Sequence, residues 1–417
     1  MKRTLLVVAF CASSALMAAA QDEVKFETNP NSPELQALAK PMVVDESKYG
    51  CGPLREPGKT YCVKPDGDDK ADGLSWATAL QHIRQAVLKL KAGDTLLIGE
   101  GEYCEHLEFG NNPLLGEPGR PIRIMAAPRQ RVVLSAAQRV GPFRPREGTR
   151  FTFEVDTKKP TNIELYTATW EADSLNVLEP AGSAEAVERL PGTFFFDEAK
   201  NKLYVRFSDG RPGAGRHIYM LRYHRGLCID GRYVLVQGLQ VKHAPFYGFG
   251  VRGQHITVED CVMVANWGSG MYLGGSAQWN LIKNNYGIRN EYRGTVMTTG
   301  ENCTDNLFIG NHCDPSPPSG RSGRENEHWA INNYGGVGAR CHVIGNLFND
   351  GRAFRWKPAV RETVFQGNVC VGTLYCTGTK IMGWTDPSQR MIVRNNTIVG
   401  GVAWAGEPLG PDGFNGD

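Results

Sequence analysis

The sequence predicts an all-β protein: a right-handed parallel β-helix, or solenoid, with an N-terminal capping helix and an inserted small β-rich segment. The main observation is a short motif of apolar residues followed by a small or amide residue, which recurs seven times. Its copies are VQGL ending at Leu239, VEDC at Cys261, IKNN at Asn285, FIGN at Asn311, VIGN at Asn346, FQGN at Asn368 and VRNN at Asn396. Spacings of 22 to 35 residues fit one solenoid coil each, with the length differences confined to loops.

Asparagine is concentrated in the same half of the chain. Residues 228–417 contain 17 of the 24 Asn residues, and five of the seven motif copies end in Asn. A buried side-chain amide needs hydrogen-bond partners, and stacked coils supply them above and below. We therefore expect Asn285, Asn311, Asn346, Asn368 and Asn396 to form one internal ladder. Residues 228–417 are the predicted main β-helix stack.

The first 20 residues have the pattern of a secretory signal peptide. Lys2 and Arg3 precede the apolar run 5–10, and small residues lead up to Ala20, the expected cleavage site. The protein is therefore expected to be secreted, either into a periplasm or out of the cell. Residues 21–50 are expected to be a flexible lead-in. No later stretch reaches the ~18 apolar residues that a membrane span needs.

Residues 51–140 are expected to form the N-terminal cap and the first coils. Apolar residues at helical spacing predict a short amphipathic helix, and residues 95–98 predict the first strand. The helical positions are Leu80, Ile83, Val87 and Leu90.

Residues 141–227 have a different pattern and are the predicted β-rich insertion. Apolar runs at 194–196 and 203–207 flank the polar segment DEAKNK and predict a hairpin, and residues 166–170 predict another strand.

Charge and cysteine content narrow the class of function. Two of the 46 Lys and Arg residues, Lys2 and Arg3, lie in the leader, so the other 44 balance the 44 Asp and Glu residues. This balance argues against nucleic acid and against an anionic membrane surface as partners. Ten cysteines follow the leader, and an even number in an exported protein favours disulfides.

The N-terminal sequence resembles a known group of proteins. The run DGLSWATA, the predicted helix, AGDTLLIGEGEY and then GEPGRPIRIMAAP resemble the cap and first two coils of secreted right-handed parallel β-helix proteins of the pectate-lyase-like superfamily. These are proteins of the polysaccharide lyase and glycosidase type. The resemblance implies a polysaccharide substrate, bound in a groove lined by the strand that ends about ten residues before the ladder turn.

Counting back from the ladder predicts which residues face this groove. Alternation places Arg355 and Lys357 outward, because Phe354 and Trp356 between them are apolar. The same count from the other motif copies gives an outer column of Gly248, Tyr272, Thr298, Asn333 and Arg355, with Tyr247 pointing inward. Tyr272, Thr298 and Asn333 are therefore expected to contact the substrate. The column contains no carboxylate.

Arg355 and Lys357 suggest β-elimination from a uronic-acid polysaccharide. Arginine can neutralise the uronate carboxylate in a bidentate manner, and lysine beside another cation is a usable base. The enzymatic alternative is a glycoside hydrolase that acts through loop carboxylates. The other alternative is a non-enzymatic surface β-helix that binds glycan or protein.

The long segment between Asn311 and Asn346 is the second candidate region, since its length predicts a loop overhanging the groove. Arg324 and His328 are candidate substrate contacts within it. Carboxylates within and just after this segment suggest a Ca²⁺ site. Calcium is the one cofactor that the sequence indicates, and the sequence does not require any cofactor. Its candidate ligands are Glu325, Glu327 and Asp350.

The residues after Asn396 contain no recognisable cap. A solenoid end exposes apolar coil and unpaired strand edges, which need a cover. We expect the sequence to be part of a longer chain. The alternatives are a plug formed by Trp404 and Phe414 and an oligomer in which a second chain covers this end.

Overall fold

The fold is the predicted right-handed parallel β-helix. The computed structural model describes residues 33, 43–158, 169–174, 176–290, 296–298, 303–314, 331–333, 340–349, 352–356, 363–377 and 391–405. Its main body is a 25-stranded sheet whose strands pair in parallel, and a separate eight-stranded sheet lies beside it. The main sheet winds into three faces, so that each complete coil contributes strand residues to every face.

Strand pairing defines the three faces. The first face contains Thr60–Val63, Thr95–Ile98, Ile122–Ala126, Leu281–Lys283, Leu307–Ile309, His342–Ile344, Thr363–Gln366 and Met391–Arg394. The second contains Gly101–Tyr103, Val132–Ser135, Leu239–Lys242, Val262–Val264, Tyr286–Ile288, His312–Cys313 and Leu347–Phe348. The third contains Leu107–Glu108, Leu114–Leu115, Ser269–Leu273, Val296–Thr298, Ile331–Asn333 and Arg352–Trp356. Four long strands belong to two faces each. Two of them run from the third face into the first: Arg225–Gln237 and Tyr247–Glu259. The other two run from the second face into the third: Val369–Thr377 and Thr397–Ala405.

The core consists of apolar columns that run through the coils. On the first face, inward residues from eight successive coils align, and each is at most 2% exposed. Full burial of such a side chain contributes about 1.5–3 kcal/mol relative to exposure. The column is Leu96, Ile124, Val236, Val258, Ile282, Phe308, Val343 and Phe365.

The predicted asparagine ladder is present at the corner between the first and second faces. Each Nδ2 donates to the Oδ1 of the next ladder residue, at 3.0, 2.9, 2.9 and 3.0 Å along the series Asn285, Asn311, Asn346, Asn368 and Asn396. Each receiving Oδ1 also accepts the backbone N–H of the ladder residue before it. The amides are therefore satisfied by the stacking of coils, as the sequence indicated.

The residue before each ladder asparagine has a left-handed backbone. Its φ lies between 52° and 67° at Asn284, Gly310, Gly345, Gly367 and Asn395. Glycine and asparagine tolerate this conformation best, which explains the third letter of the sequence motif. Two further ladders, which the sequence analysis missed, occupy the other corners: Asn266 with Asn290, at 2.8 Å, and Asn280 with Asn306, at 2.9 Å.

The N-terminal cap is a helix from Ile83 to Val87, as predicted, and it buries Ile83 and Val87 in the core. The predicted strand at residues 95–98 is also present, but Thr60–Val63 precedes it in the first face.

The end of the predicted flexible lead-in is packed against the solenoid. A short 3₁₀ helix spans Glu46–Lys48, and Glu46 bridges to Lys283 at 2.7 Å. Gly50 donates its N–H to the carbonyl of Trp279 at 2.7 Å, and Tyr49 is only 7% exposed. The last residues of the predicted lead-in thus contact the solenoid, where the Tyr49 ring lies 5.8 Å from that of Trp279.

The eight-stranded sheet is formed by residues between Ala137 and Leu221, where the sequence predicted a β-rich insertion. The predicted hairpin is present as antiparallel strands Thr193–Asp197 and Lys202–Arg206. A helix spans Ala184–Arg189. The other strands are Ala137–Val140, Arg144–Pro145, Phe153–Asp156, Thr169–Glu171, Val177–Pro180 and Ile218–Leu221.

The predicted disulfides are not found. No disulfide joins any two of the cysteines whose side chains the structure describes (Cys51, Cys62, Cys104, Cys228, Cys261, Cys303, Cys313, Cys341 and Cys370), and the side chain of Cys376 lies outside the described residues. Most are fully buried and pack as small apolar side chains. Cys261, for example, takes the ladder position before Asn285 and donates its N–H to that residue's Oδ1 at 3.0 Å.

No helix in the described ranges is long and apolar enough to cross a membrane.

A buried histidine lies where the insertion sheet meets the second face. The ring of His243 is fully buried between Trp170, at 4.9 Å, and Tyr219, at 4.3 Å. Its Nδ1 lies 3.1 Å from Ser135 Oγ, and its Nε2 has no partner among the described residues. Lys242 precedes it and pairs with Glu102 at 3.5 Å. Burial, with the nearby Lys242 charge, holds the pKa of His243 well below its usual value of 6.5.

We expect the protein to become less stable as the pH falls below about 6.5. The unfolded state then binds a proton at His243 that the folded state excludes, so the free energy of unfolding falls by up to ~1.4 kcal/mol per pH unit. Burial also lowers the pKa values of His255 and His342, which adds to the slope in the same direction. Urea unfolding at pH 7 and pH 5.5 measures this, and His243→Asn should reduce the slope. An equal slope in both proteins would contradict the assignment to His243.

Candidate functional site

The outer side of the third face contains the candidate groove. Backbone register aligns Glu108, Cys228, Gly250, Tyr272, Met297, Asn332 and Arg355 in one column across seven coils. Tyr272 and Arg355 therefore share a column, as the sequence analysis predicted.

Three predicted members of the column are displaced: Gly248 by two residues, since Gly250 aligns with Tyr272, and Thr298 and Asn333 by one. Thr298 and Asn333 align with Leu273, whose side chain is fully buried, while Met297 and Asn332 align with Tyr272. Side chains alternate between the two sides of a sheet, so an error of one residue in the count places a side chain on the opposite side. The coils differ in loop length, so a fixed count from the ladder does not hold for each of them.

Several predicted site residues lie outside the described ranges: Lys357, Arg324, His328, Glu325, Glu327 and Asp350. For Arg355, Thr298 and Asn333 the structure describes the backbone only. Among the residues whose side chains are described, no group of three or more His, Cys, Asp or Glu side chains is arranged to hold a metal ion.

Two ion pairs lie at the upstream end of the groove, on its first coils. Glu108 Oε2 lies 2.6 Å from Arg225 Nη1, and Asp230 Oδ2 lies 3.0 Å from Arg252 Nη2. Glu108 Oε1 is also 3.3 Å from His106 Nε2. All four paired side chains are partly exposed. We call Glu108, Arg225, Asp230 and Arg252 the groove cluster.

Aromatic rings adjoin the groove cluster. Tyr247 stacks on Tyr272, with ring centroids 4.8 Å apart and planes 15° from parallel. The Arg225 guanidinium lies 5.2 Å from the Tyr247 ring and 5.7 Å from that of Phe246. Phe246 is 43% exposed, and His224 lies against its ring at 5.5 Å. These rings give the groove both apolar and charged contact surface.

The position of Tyr247 corrects the sequence analysis, which placed it in the core. Its ring lies along the outer side of the sheet, beside Gly250: a Cβ added there would be 2.8 Å from Tyr247 Cε2. Glycine at position 250 therefore leaves room for the ring. Burial between these neighbours raises the pKa of Tyr247 to about 12, so the phenol is neutral at ordinary pH.

The capping helix holds the first strand of the groove in place. Arg84 Nη1 donates to the carbonyl oxygens of His106, at 2.7 Å, and Glu108, at 3.3 Å. In return, the carboxylate of Glu105 accepts the backbone N–H groups of Ile83 and Arg84, at 2.9 and 3.0 Å. The groove cluster is thus built on a rigid backbone, as a binding site requires.

Sequence reasoning missed the whole groove cluster. It predicted no carboxylate in the outer column, whereas Glu108 lies in that column and Asp230 lies two residues beyond Cys228 on the same strand. The ion pair between Glu108 and Arg225 spans 117 residues of sequence, across the insertion. The available signal was the resemblance of residues 72–128 to the cap and first two coils, from which a register for Glu108 could have been counted.

Comparisons with known proteins agree on the fold. No protein-family model and no curated protein matches the sequence. The chain is similar to a structure described as the complex of XylC with xylose (TM-score 0.57, 13% identity, 77% of this chain and 67% of that one). It is similar to a structure described as a glycoside hydrolase (TM-score 0.57, 10% identity, 84% and 96%). A third similar structure is that of pectate lyase Pel9A (TM-score 0.47, 15% identity, 86% and 80%). At such identities, the two similarities with a TM-score of 0.57 show the fold alone.

Proposed function

We propose that this protein is exported through its N-terminal signal peptide and that it binds and cleaves an extracellular polysaccharide in the third-face groove. The leading reaction is β-elimination from a uronic-acid-containing glycan. The observation that carries the proposal is the outer column itself, which runs from Glu108 through Tyr272 to Arg355 along one face. A column that extends over seven coils, with polar residues at both ends and Tyr272 between them, suits an extended chain molecule.

In the proposed reaction, Arg355 pairs with the uronate carboxylate and so acidifies the adjacent C–H bond. Lys357 removes that proton as the base. The electron pair of the C–H bond forms a carbon–carbon double bond, and the glycosidic C–O bond breaks. The leaving oxygen takes up a proton, so the products are a new chain end and an unsaturated uronate.

The groove cluster lies too far from Arg355 to take part in this step. Six coil-to-coil steps separate Glu108 from Arg355, which corresponds to about 29 Å at the usual strand spacing of ~4.8 Å. Its function would be to bind the glycan several sugar residues away from the bond that breaks. Tyr272 lies between the two ends and is a proposed substrate contact.

Hydrolysis is the second candidate, favoured by the two carboxylates in the groove cluster. Glycoside hydrolases use a pair of carboxyl groups, one of which must hold a proton as the acid. Glu108 and Asp230 are each bridged to an arginine, so both carboxylates are already engaged in an ion pair. The pair therefore suits binding better than acid catalysis.

We expect a panel of polysaccharides to yield an unsaturated uronate, detected by its ultraviolet absorbance, from at least one acidic glycan. New reducing ends without that absorbance would indicate hydrolysis, and loss of activity in Glu108→Gln and Asp230→Asn would then place it in the groove cluster. Binding without any product would support the non-enzymatic alternative.

The proposed calcium ligands are still Glu325, Glu327 and Asp350. The proposed substrate contacts from the same loop are Arg324 and His328. If calcium neutralises substrate charge, a chelator should abolish the elimination activity and added Ca²⁺ should restore it. Activity that is unchanged by chelator would remove calcium from the mechanism.

A further inference from the structure

We infer that the upstream end of the groove binds neutral sugar residues, so that the substrate is a mixed polysaccharide carrying neutral residues some distance from the uronate that is cleaved. This inference rests on the proposed function, since it takes the third-face groove to be the glycan-binding surface. It is carried by the charge balance of the groove cluster and by the exposed ring of Phe246.

The groove cluster has no spare positive charge. Arg225 is held by Glu108 at 2.6 Å, and Arg252 by Asp230 at 3.0 Å, so two cations are balanced by two anions. A uronate entering here would have to replace a carboxylate that is already paired, and the displaced carboxylate would repel it. The cluster therefore disfavours the acidic sugars that the Arg355 end is proposed to select.

Neutral sugars fit the same groups without breaking either pair. Their hydroxyls can donate to the carboxylate oxygens of Glu108 and Asp230 and accept from the remaining N–H groups of the arginines. Each of these four side chains keeps between 19% and 33% of its surface exposed, so it remains accessible to a ligand. The carboxylate and guanidinium groups of the two ion pairs are planar and hold each other in place, so their hydrogen-bonding atoms suit the closely spaced hydroxyls of a pyranose.

Phe246 supplies the apolar contact. Its ring is 43% exposed at the edge of the groove, where His224 and Arg225 lie against it. A large exposed ring beside hydrogen-bonding groups offers a surface for the C–H face of a sugar. The backbone beneath the cluster is fixed by Arg84, so little ordering is needed on binding.

Calorimetry with neutral and uronic-acid oligosaccharides of equal length tests the inference. We expect neutral oligosaccharides to bind the wild-type protein, and Phe246→Ala to weaken this binding about tenfold. Trp76→Ala is the matched control, since Trp76 is 40% exposed but lies on the N-terminal cap away from the groove cluster. Absence of neutral-sugar binding, or binding that Phe246→Ala leaves unchanged, would overturn the inference.

A second variant tests the charge balance directly. Glu108→Gln frees Arg225, so it should raise the affinity for uronic-acid oligosaccharides by about tenfold and lower that for neutral ones. Glu46→Gln is its control, because Glu46 pairs with Lys283 at 2.7 Å on the first face. The inference would also be overturned if Glu108→Gln bound neutral and uronic-acid oligosaccharides with the same relative affinities as the wild-type protein. Failure of the elimination reaction is a separate result: a protein that binds neutral sugars but releases no unsaturated product would contradict the proposed cleavage of a uronate, while the binding of neutral sugars at the groove cluster would stand.

Discussion

Replacing Asn311 by alanine is expected to lower the free energy of unfolding by about 4 kcal/mol. The Asn311 amide is 4% exposed and makes four hydrogen bonds. Its Oδ1 accepts both the backbone N–H and the Nδ2 of Asn285, at 3.0 Å each, and its Nδ2 donates to the carbonyl of Ile282 and to Asn346 Oδ1, at 2.9 Å each. Alanine would remove a partner from four buried groups, of which Asn285 Nδ2 and Asn346 Oδ1 each keep another hydrogen bond. A buried group left unsatisfied costs about 1–3 kcal/mol.

Urea unfolding of the variant and of a matched control measures this effect. Asn349→Ala changes an exposed asparagine in the adjacent coil, whose Nδ2 donates to Asp314 at 3.1 Å, and it should cost less than about 0.5 kcal/mol. A small effect for both variants would mean that the ladder amides are dispensable and that the apolar columns alone hold the coils in register.

Replacing Lys357 by alanine is expected to reduce turnover by about a thousandfold, the usual contribution of a positioned base. The melting temperature should change little, because alternation along residues 353–357 predicts an outward side chain that contributes little packing. The measurement is the initial rate of unsaturated-uronate formation on the best substrate of the panel, together with thermal unfolding of both proteins.

Lys59→Ala is the control for this variant, because Lys59 is exposed and lies on the N-terminal cap. Full activity in Lys357→Ala would show that the base has been assigned to the wrong residue, whatever the fold. Loss of activity together with a large fall in melting temperature would instead indicate that Lys357 supports the structure.

Local chemistry made the solenoid predictable. The motif combines a buried apolar residue with a residue that tolerates a left-handed backbone and an amide that bonds to its own copy one coil away, as at Val343, Gly345 and Asn346. These residue types stand within four positions of each other and recur from coil to coil, so the pattern is visible in the sequence. The capping helix and the hairpin at 193–206 were predictable for the same reason, since their apolar spacing is local.

Which residues line the groove depends on how strands of distant coils align with one another. This alignment cannot be read from the sequence. Loops of different length separate the coils, and a one-residue slip moved Thr298 and Asn333 out of the column of Tyr272. The outward ring of Tyr247 likewise depends on the space left at Gly250 by the neighbouring residues of its own strand.

The solenoid and its main asparagine ladder can be predicted from the amino-acid sequence, because they depend on periodicity and on short-range conformational preference. The side chains that meet on the third face are known only from the folded chain. Glu108 and Arg225 are brought together across 117 residues by the stacking of coils on either side of the insertion. The alignment of distant coils is set by the packing of the whole core, and no local pattern encodes it.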